Sequence, residues 1–544
     1  MEGQQLPKSV RIFDTTLRDG TQGEGVSLSV EDKLKIAHKL DELGVHYIEG
    51  GWPGSNSKDI EFFVRVRELN LKQAKISAFG STRRKGIKAS EDINLNRIIE
   101  SGVEVASIFG KSWDFHVHKA IQTTLEENLS MIHDSVSYLK SKGLEVIYLA
   151  EHFFDGYKHN PAYALDTILK AQEGGADWIV LCDTNGGSLP DEVANIVTAV
   201  QQPLNIPLGI HAHNDCELGV ANTLAAVAAG ATQVQGTMNG YGERCGNANL
   251  CSVIPNLQLK MGLEALAPQQ LELLTPTARY ISEIANMHMP LNQPYVGTAA
   301  FAHKGGIHVS AILKNPTTYE HTKPEYVGNK QRVLVSELAG QSNLLSKAQE
   351  LNMELDPQHE GTKKVILEVK NLEHEGYQFE GADASLELLL RKHVHGLEDI
   401  FRLESFKILM EKAAGKPEES EAFLKVNVHG NSMYTAAEGR GPLNALDYAL
   451  RKALEPYYPS IRNMHLTDYK VRVLDEKDAS AAKVRVLIET TNGETSWSTV
   501  GVSENVIEAS WNALVDSFRY ALIGKKPLPI APMEYKEHVG LVNH

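Results

Sequence analysis

The chain has 544 residues, 42% hydrophobic and 23% charged, enough for a large buried core and at least one further domain. Its 54 Lys and Arg against 69 Asp and Glu give a net charge of −15, which argues against a broad phosphate-tracking surface and against nucleic acid as a partner. The start MEGQQLPKSVRIFD has no apolar signal core, and no stretch approaches the roughly 20 apolar residues of a membrane span, so a cytoplasmic protein with no membrane partner is expected.

Residues 10 to 260 alternate short β-rich runs with longer amphipathic stretches, the signature of repeated βα units. The runs are Arg11–Thr16, Tyr47–Gly51, Lys75–Gly80, Val105–Gly110, Glu145–Glu151, Trp178–Thr184, Leu208–His213 and Gln233–Met238. Helical patterns fill the intervals: Val30–Leu43 opens behind Ser29 as N-cap, and Thr124–Lys142 closes on Gly143. Eight such units in roughly 250 residues predict an α/β fold of the (β/α)8 TIM-barrel type rather than a doubly wound sheet. The active site of that fold lies at the C-terminal strand ends, where polar residues cluster here.

After Leu266 the alternation stops, and residues 271–416 read as a mainly helical post-barrel linker region, with helices expected at Pro276–Met287 and Ala384–His393. The acidic break Lys416-Pro417-Glu418-Glu419-Ser420 marks a linker between the barrel region (1–270) with its helical extension and a C-terminal α+β domain (421–535). That last domain carries an internal echo. Tyr434 to Gly439 leads into a helix ending at Leu454, and Trp497 to Val502 into one ending at Leu522, which predicts a duplicated β/α module.

His211-Ala212-His213-Asn214-Asp215 ends the seventh strand, where positions i and i+2 share a face, so both imidazoles can reach one metal or form a hydrogen-bonded pair at the core edge. Asp19, just past the first strand, adds an anionic oxygen once a barrel closes, and two nitrogens with one oxygen suit zinc, manganese, cobalt or magnesium. Asn239 to Asn247 follows the eighth strand with three glycines for close backbone approach; Asn247 can add a ligand oxygen, and Glu243 and Arg244 can pair to orient the loop. Arg18 can stabilise negative charge on a reacting oxygen or close a salt bridge. Glu151 ends the fifth strand as a base or the partner of one, and Thr184 ends the sixth as a hydroxyl donor to a substrate carboxylate; either can instead cap its strand. The cysteines, Cys182, Cys216, Cys245 and Cys251, match neither a zinc knuckle nor a disulfide framework and are expected to be buried, reduced thiols.

Together these motifs resemble the family of 2-isopropylmalate, homocitrate and citramalate synthases. The likeness is carried by Leu17 to Gln22 (L-R-D-G-x-Q), H-x-H-N-D at His211, G-x-G-E-R-x-G-N ending at Asn247, and His303-Lys304-Gly305-Gly306-Ile307-His308, all in the family's order. It covers nearly the whole chain. It implies a metal held by Asp19, His211, His213 and Asn247, and chemistry carried by Arg18, Glu151, His308 and Tyr319. Gln22, Thr184, Leu149 and Ile108 would then bind substrate, with Leu149, Ile108 and Trp52 narrowing the pocket to a methyl group. Arg18 to Gly25 and Glu49 to Asn56 look most like the citramalate branch, since 2-isopropylmalate synthases usually read R-D-G-x-Q-S-P-G and E-x-G-F-P there. Ser310 departs from the aspartate found two residues after the mobile histidine in some citramalate synthases.

The resemblance implies a Claisen condensation of acetyl-CoA with pyruvate, isoleucine or leucine as effector of the C-terminal domain, and a homodimer. A 2-isopropylmalate synthase acting on 2-oxoisovalerate stands beside this as an alternative. So does a barrel that senses an amino acid without catalysing, although Arg18, Asp19, Glu151, His211, His213 and His308 occur together. A retro-aldol lyase of the same superfamily would carry a G-G-C-P-type loop, which this sequence lacks.

Overall fold

The computed structural model describes residues 6–334, 341–350, 353, 355–356, 360–379, 381–397, 399–412, 414, 419–474, 482–525 and 527. They fall into two compact units, Met1–Phe301 with Glu320–Gln331, and Ala302–Tyr319 with Arg332–His544. No helix among the described residues is long and apolar enough to cross a membrane.

The first unit is a closed eight-stranded barrel. Its strands are β1 (Arg11–Asp14), β2 (Tyr47–Gly51), β3 (Lys75–Ser81), β4 (Val105–Lys111), β5 (Glu145–Glu151), β6 (Trp178–Asp183), β7 (Leu208–Ala212) and β8 (Gln233–Gly236). All neighbours run parallel, and β1 closes the ring by pairing Arg11 with Gln233 through Asp14 with Gly236. The strands are apolar on both faces because the lumen and the helical layer both exclude water. Phe13, Val105, Ile147, Leu149, Val180 and Cys182 fill the lumen. Their alternating neighbours Ile12, Ala106, Ile108, Tyr148, Ile179 and Leu181 pack toward the helices.

The expected helix starts are built as the side chains dictate. Ser29 and Asp32 form a reciprocal cap on the helix Val30–Leu43, which ends on Gly44 at φ 91°; such a cap contributes about 1 kcal/mol. Thr124 caps Leu125–Ser141, and Gly143 follows at φ 85°.

The second unit contains the helices Gly306–Ile312, Gln341–Glu350, Glu360–His374 and Asp383–His395, then two antiparallel sheets of three strands. Phe401–Glu411, Glu419–Val428 and Asn431–Gly439 precede the helix Pro442–Leu454, and His465–Val473, Val484–Thr491 and Ser496–Ser503 precede Val506–Ala521. The repeat is therefore three strands and a helix, longer than the sequence echo. Leu446, Leu450 and Leu454 of one helix and Leu514 and Phe518 of the other are buried in one core.

One expectation is corrected: residues 401–411 form a strand, not part of a helical region. A bulge between Leu403 and Ser405 breaks the two-residue alternation of Phe401, Leu403, Phe406 and Ile408 and hides it from a periodicity count. Residues 416–418 of the acidic break lie outside the described residues, and Glu419 and Ser420 already belong to a strand.

Candidate active site

A cavity of about 220 Å³ opens at the C-terminal ends of the barrel strands. His211 lies on β7 and His213 one residue beyond it; the two-residue spacing turns both rings inward, 5.3 Å apart. Asp19, in the turn after β1, reaches them from across the β1–β8 seam. One ligand atom from each of Asp19, His211 and His213 lies within 4.8 Å of the others, and all three residues are buried.

The hydrogen bonding around them leaves a gap. Gln235 on β8 donates from Nε2 to Gln233 Oε1 at 3.1 Å, which fixes its amide so that Oε1 faces His211 Nδ1, also at 3.1 Å. His211 then carries its proton on Nδ1 and turns the Nε2 lone pair to Asp19 Oδ2, 3.3 Å away. Two acceptors at that distance need a proton or a cation between them. Among the described residues Asp19 Oδ1, His213 Nδ1 and Asn247 Oδ1 are also buried without a hydrogen-bond partner. A buried unsatisfied polar atom costs about 1–3 kcal/mol, so the cluster of Asp19, His211 and His213 fits a divalent cation held by two nitrogens and a carboxylate oxygen.

Electrostatics point the same way. Burial opposes the charge on Asp19, but the Arg18 guanidinium beside it outweighs burial and holds the carboxyl well below its ordinary range. Burial pushes His213 down to about 4, which keeps it neutral and able to ligate.

The glycine loop sets Asn247 beside His213. His213 and Asn247 form an isolated antiparallel bridge, and Asn247 Nδ2 donates to the Tyr241 carbonyl at 3.1 Å. Gly242 and Gly246 have φ of 148° and 83°. A Cβ at Gly246 would strike the Gly240 carbonyl oxygen, and one at Gly242 the Asn247 amide. Arg244 clamps the loop mainly through Asp215, at 2.7 and 3.0 Å, and the Thr184 carbonyl, at 2.7 Å; Glu243 stands farther off at 3.7 Å.

Arg18 is fixed by a residue that sequence reasoning passed over. Glu49 on β2 is fully buried and accepts from Arg18 Nε and Thr15 Oγ1, both at 2.6 Å, and from Ser107 Oγ at 2.5 Å. The Arg18 guanidinium also lies 3.9 Å from the Phe79 ring centre. A lone acid inside the apolar strand Tyr47–Gly51 was the signal available for Glu49.

Gln22, Leu149, Glu151 and Thr184 line the same cavity. Thr184 Oγ1 accepts from the His152 amide at 2.8 Å, so its hydroxyl proton is free to turn elsewhere. Glu151 pairs with Lys111 at the end of β4. Ile108 is corrected: it packs in the layer toward the helices, and Phe109 takes the lumenal place beside Trp52, Phe79 and Leu149. On a strand apolar on both faces, alternation alone cannot tell the two sides apart.

His308 and Tyr319 belong to the second unit, where both are exposed and their rings stack at 4.1 Å. The cysteine expectation holds for Cys182 and Cys251 and fails for Cys216 and Cys245, which are exposed; all four are free thiols. Burial pushes Cys182 well above its ordinary value and Cys251 up to about 12, so neither is a ready nucleophile.

The HMGL-like family matches residues 9–277, the homocitrate synthase post-HMGL domain-like family residues 295–377, and the LeuA allosteric (dimerisation) domain residues 380–522. The chain is 55% identical to the (R)-citramalate synthase of Aquifex aeolicus over 520 residues, 95% of this chain and 98% of that one. It is 54% identical to the (R)-citramalate synthase of Geobacter sulfurreducens over 514 residues, 94% and 97% of the two chains. The 2-isopropylmalate synthase of Methanocaldococcus jannaschii is 30% identical over 527 residues, 96% of each chain. With such likeness along nearly its whole length, from the barrel through the C-terminal domain, the chain belongs to the family of citramalate and 2-isopropylmalate synthases.

Proposed function

We propose that the chain is a citramalate synthase, a transferase that condenses acetyl-CoA with pyruvate and hydrolyses the thioester to release citramalate and CoA. The observation that carries this reading is the much greater likeness to (R)-citramalate synthases than to 2-isopropylmalate synthases. The cavity agrees in size, since Trp52, Phe79, Phe109 and Leu149 crowd its apolar side.

Asp19, His211, His213 and Asn247 would hold a divalent ion, zinc, manganese, cobalt or magnesium, which supplies the Lewis acidity that polarises the acceptor's keto group. The Thr184 hydroxyl donates to the pyruvate carboxylate, and Gln22 and Leu149 flank the substrate. Arg18, held by Glu49 and Phe79, meets the negative charge that develops on the keto oxygen during attack. His308, stacked on Tyr319, takes the proton from the acetyl methyl group, and Glu151, which lines the cavity, is a further catalytic group. The new bond joins that carbon to the keto carbon as the keto π bond opens to an alkoxide, which takes up a proton to become the tertiary hydroxyl; water then cleaves the thioester C–S bond to leave a carboxylate and release the CoA thiol.

On the same reading, residues 1–270 catalyse, 271–416 link and 421–535 regulate. The C-terminal module takes isoleucine, or leucine, as effector in a cytoplasmic homodimer serving isoleucine biosynthesis. One methylene in an apolar pocket discriminates by roughly 1–3 kcal/mol, so acceptor choice is measurable. CoA release with pyruvate, 2-oxobutyrate, 2-oxoisovalerate and 2-oxoglutarate should give the highest kcat/KM for pyruvate. A preference for 2-oxoisovalerate would overturn the assignment.

A further inference from the structure

We infer that Lys111 is a positioning residue that holds Glu151 in one rotamer at the edge of the cavity. This role rests on the proposed condensation, in which Glu151 is one of the catalytic groups.

Barrel register brings the two together. Lys111 is the last residue of β4, Glu151 the last of β5, and they are direct partners across the parallel pair. Lys111 Nζ is ion-paired to Glu151 Oε2, and the side chains are only 17% and 24% exposed. Among the described residues Glu151 Oε1 accepts no hydrogen bond, so one carboxylate oxygen is committed to Lys111 and the other remains available. Glu151 lines the cavity and Lys111 does not, which puts the lysine behind the carboxylate.

The backbone beneath the pair is pinned from two sides. The Ser112 amide donates to the Glu151 carbonyl at 3.2 Å, and Asn128 Nδ2 donates to the Lys111 carbonyl at 2.8 Å. Asn128 is itself tied to the Tyr163 hydroxyl at 2.8 Å. Lys111 Nζ also sits 5.2 Å from the ring centre of Phe109, which lines the cavity two residues earlier on the same strand face.

An ion pair to a fixed ammonium narrows the rotamers open to a carboxylate and leaves its second oxygen one direction of approach. The charge of Glu151 is felt at His116 after β4, Tyr148 on β5 and Cys182 on β6, and Arg18, Asp19, His211, His213, Glu243 and Arg244 line the same cavity. Among the described residues Lys111 is the cation ion-paired to Glu151. With Lys111 in place, the second Glu151 oxygen is held where it accepts a hydrogen bond from substrate or from water.

The test measures kcat and KM for pyruvate in the wild type, Lys111→Met and Lys111→Arg, with melting temperatures alongside. Lys111→Met should lower kcat on the order of tenfold to a hundredfold and leave KM nearly unchanged. Lys111→Arg should recover most of the lost kcat. In a Glu151→Gln background the same Met substitution should change kcat by less than about twofold, because the partner is already gone. If Lys111→Met does not fold, Lys111→Gln enters the same comparison. A wild-type kcat in the neutral variant would overturn the inference. So would equal loss in the Met and Arg variants together with a lowered melting temperature. A wild type that releases no CoA with any 2-oxo acid would instead sink the proposed condensation itself.

Discussion

The two ends of the barrel treat charged groups differently. At the N-terminal end the acids are paired: Lys75 pairs with Glu145 at 2.6 Å, Tyr47 donates to Glu145 at 2.7 Å, and Lys140 pairs with Asp177 at 2.7 Å. Asp41 there accepts from the amides of Lys72, Gln73 and Ala74, each at 2.8 Å. At the C-terminal end, Asp19, His211 and His213 bring ligand atoms within 4.8 Å of one another, and Asp19 Oδ1 and His213 Nδ1 are buried with no hydrogen-bond partner among the described residues. The first arrangement holds the strands in register. The second leaves binding capacity unspent, which is what a ligand site requires.

Substitutions at the two ends should therefore separate activity from stability. The largest effect is expected for Arg18→Lys, which keeps the charge but loses the planar fork shared with Glu49 and Asp19. Its kcat should fall on the order of a hundredfold while the melting temperature changes little, as steady-state kinetics and calorimetry would show. Removing the pair at the other end with Lys75→Met should cost less than about 1 kcal/mol in denaturant unfolding and leave kcat alone, since the lysine side chain is 49% exposed. A drop in kcat there would erase the contrast.

A smaller effect is expected from His46, also at the N-terminal end, whose Nδ1 accepts from the Ile12 amide at 3.0 Å. Burial, aided by the charge of Arg11, pushes its pKa down to about 4, whereas an unfolded histidine titrates near 6.5. The unfolded chain binds the extra proton within that window, so the contribution of His46 is complete above pH 6.5 and is lost as pH falls toward 4. The melting-temperature difference between wild type and His46→Gln should accordingly narrow between pH 7.5 and pH 5; a constant difference would refute this.

Much of the barrel was legible because its strands are short apolar runs punctuated by helix caps, and β2 and β5 fall where the pattern places them. The two-residue alternation also brings His211 and His213 onto one face. What the sequence hid was sidedness and partnership. Ile108 and Phe109 are both apolar, and only closure of the ring turns one toward the helices and the other into the lumen. Glu49 lies 31 positions from Arg18, and Lys111 lies 40 positions from Glu151, so each pair exists only through strand register. The strand 401–411 was obscured by its bulge.

The most direct test of the central claim is the metal content of the purified chain, before and after chelation, read by elemental analysis beside CoA release from acetyl-CoA and pyruvate. The account predicts about one divalent ion per chain, loss of activity on its removal and recovery on its return, with neither ion nor activity in His211→Ala/His213→Ala. Full CoA release from the double variant, or from protein stripped of every divalent ion, would contradict it.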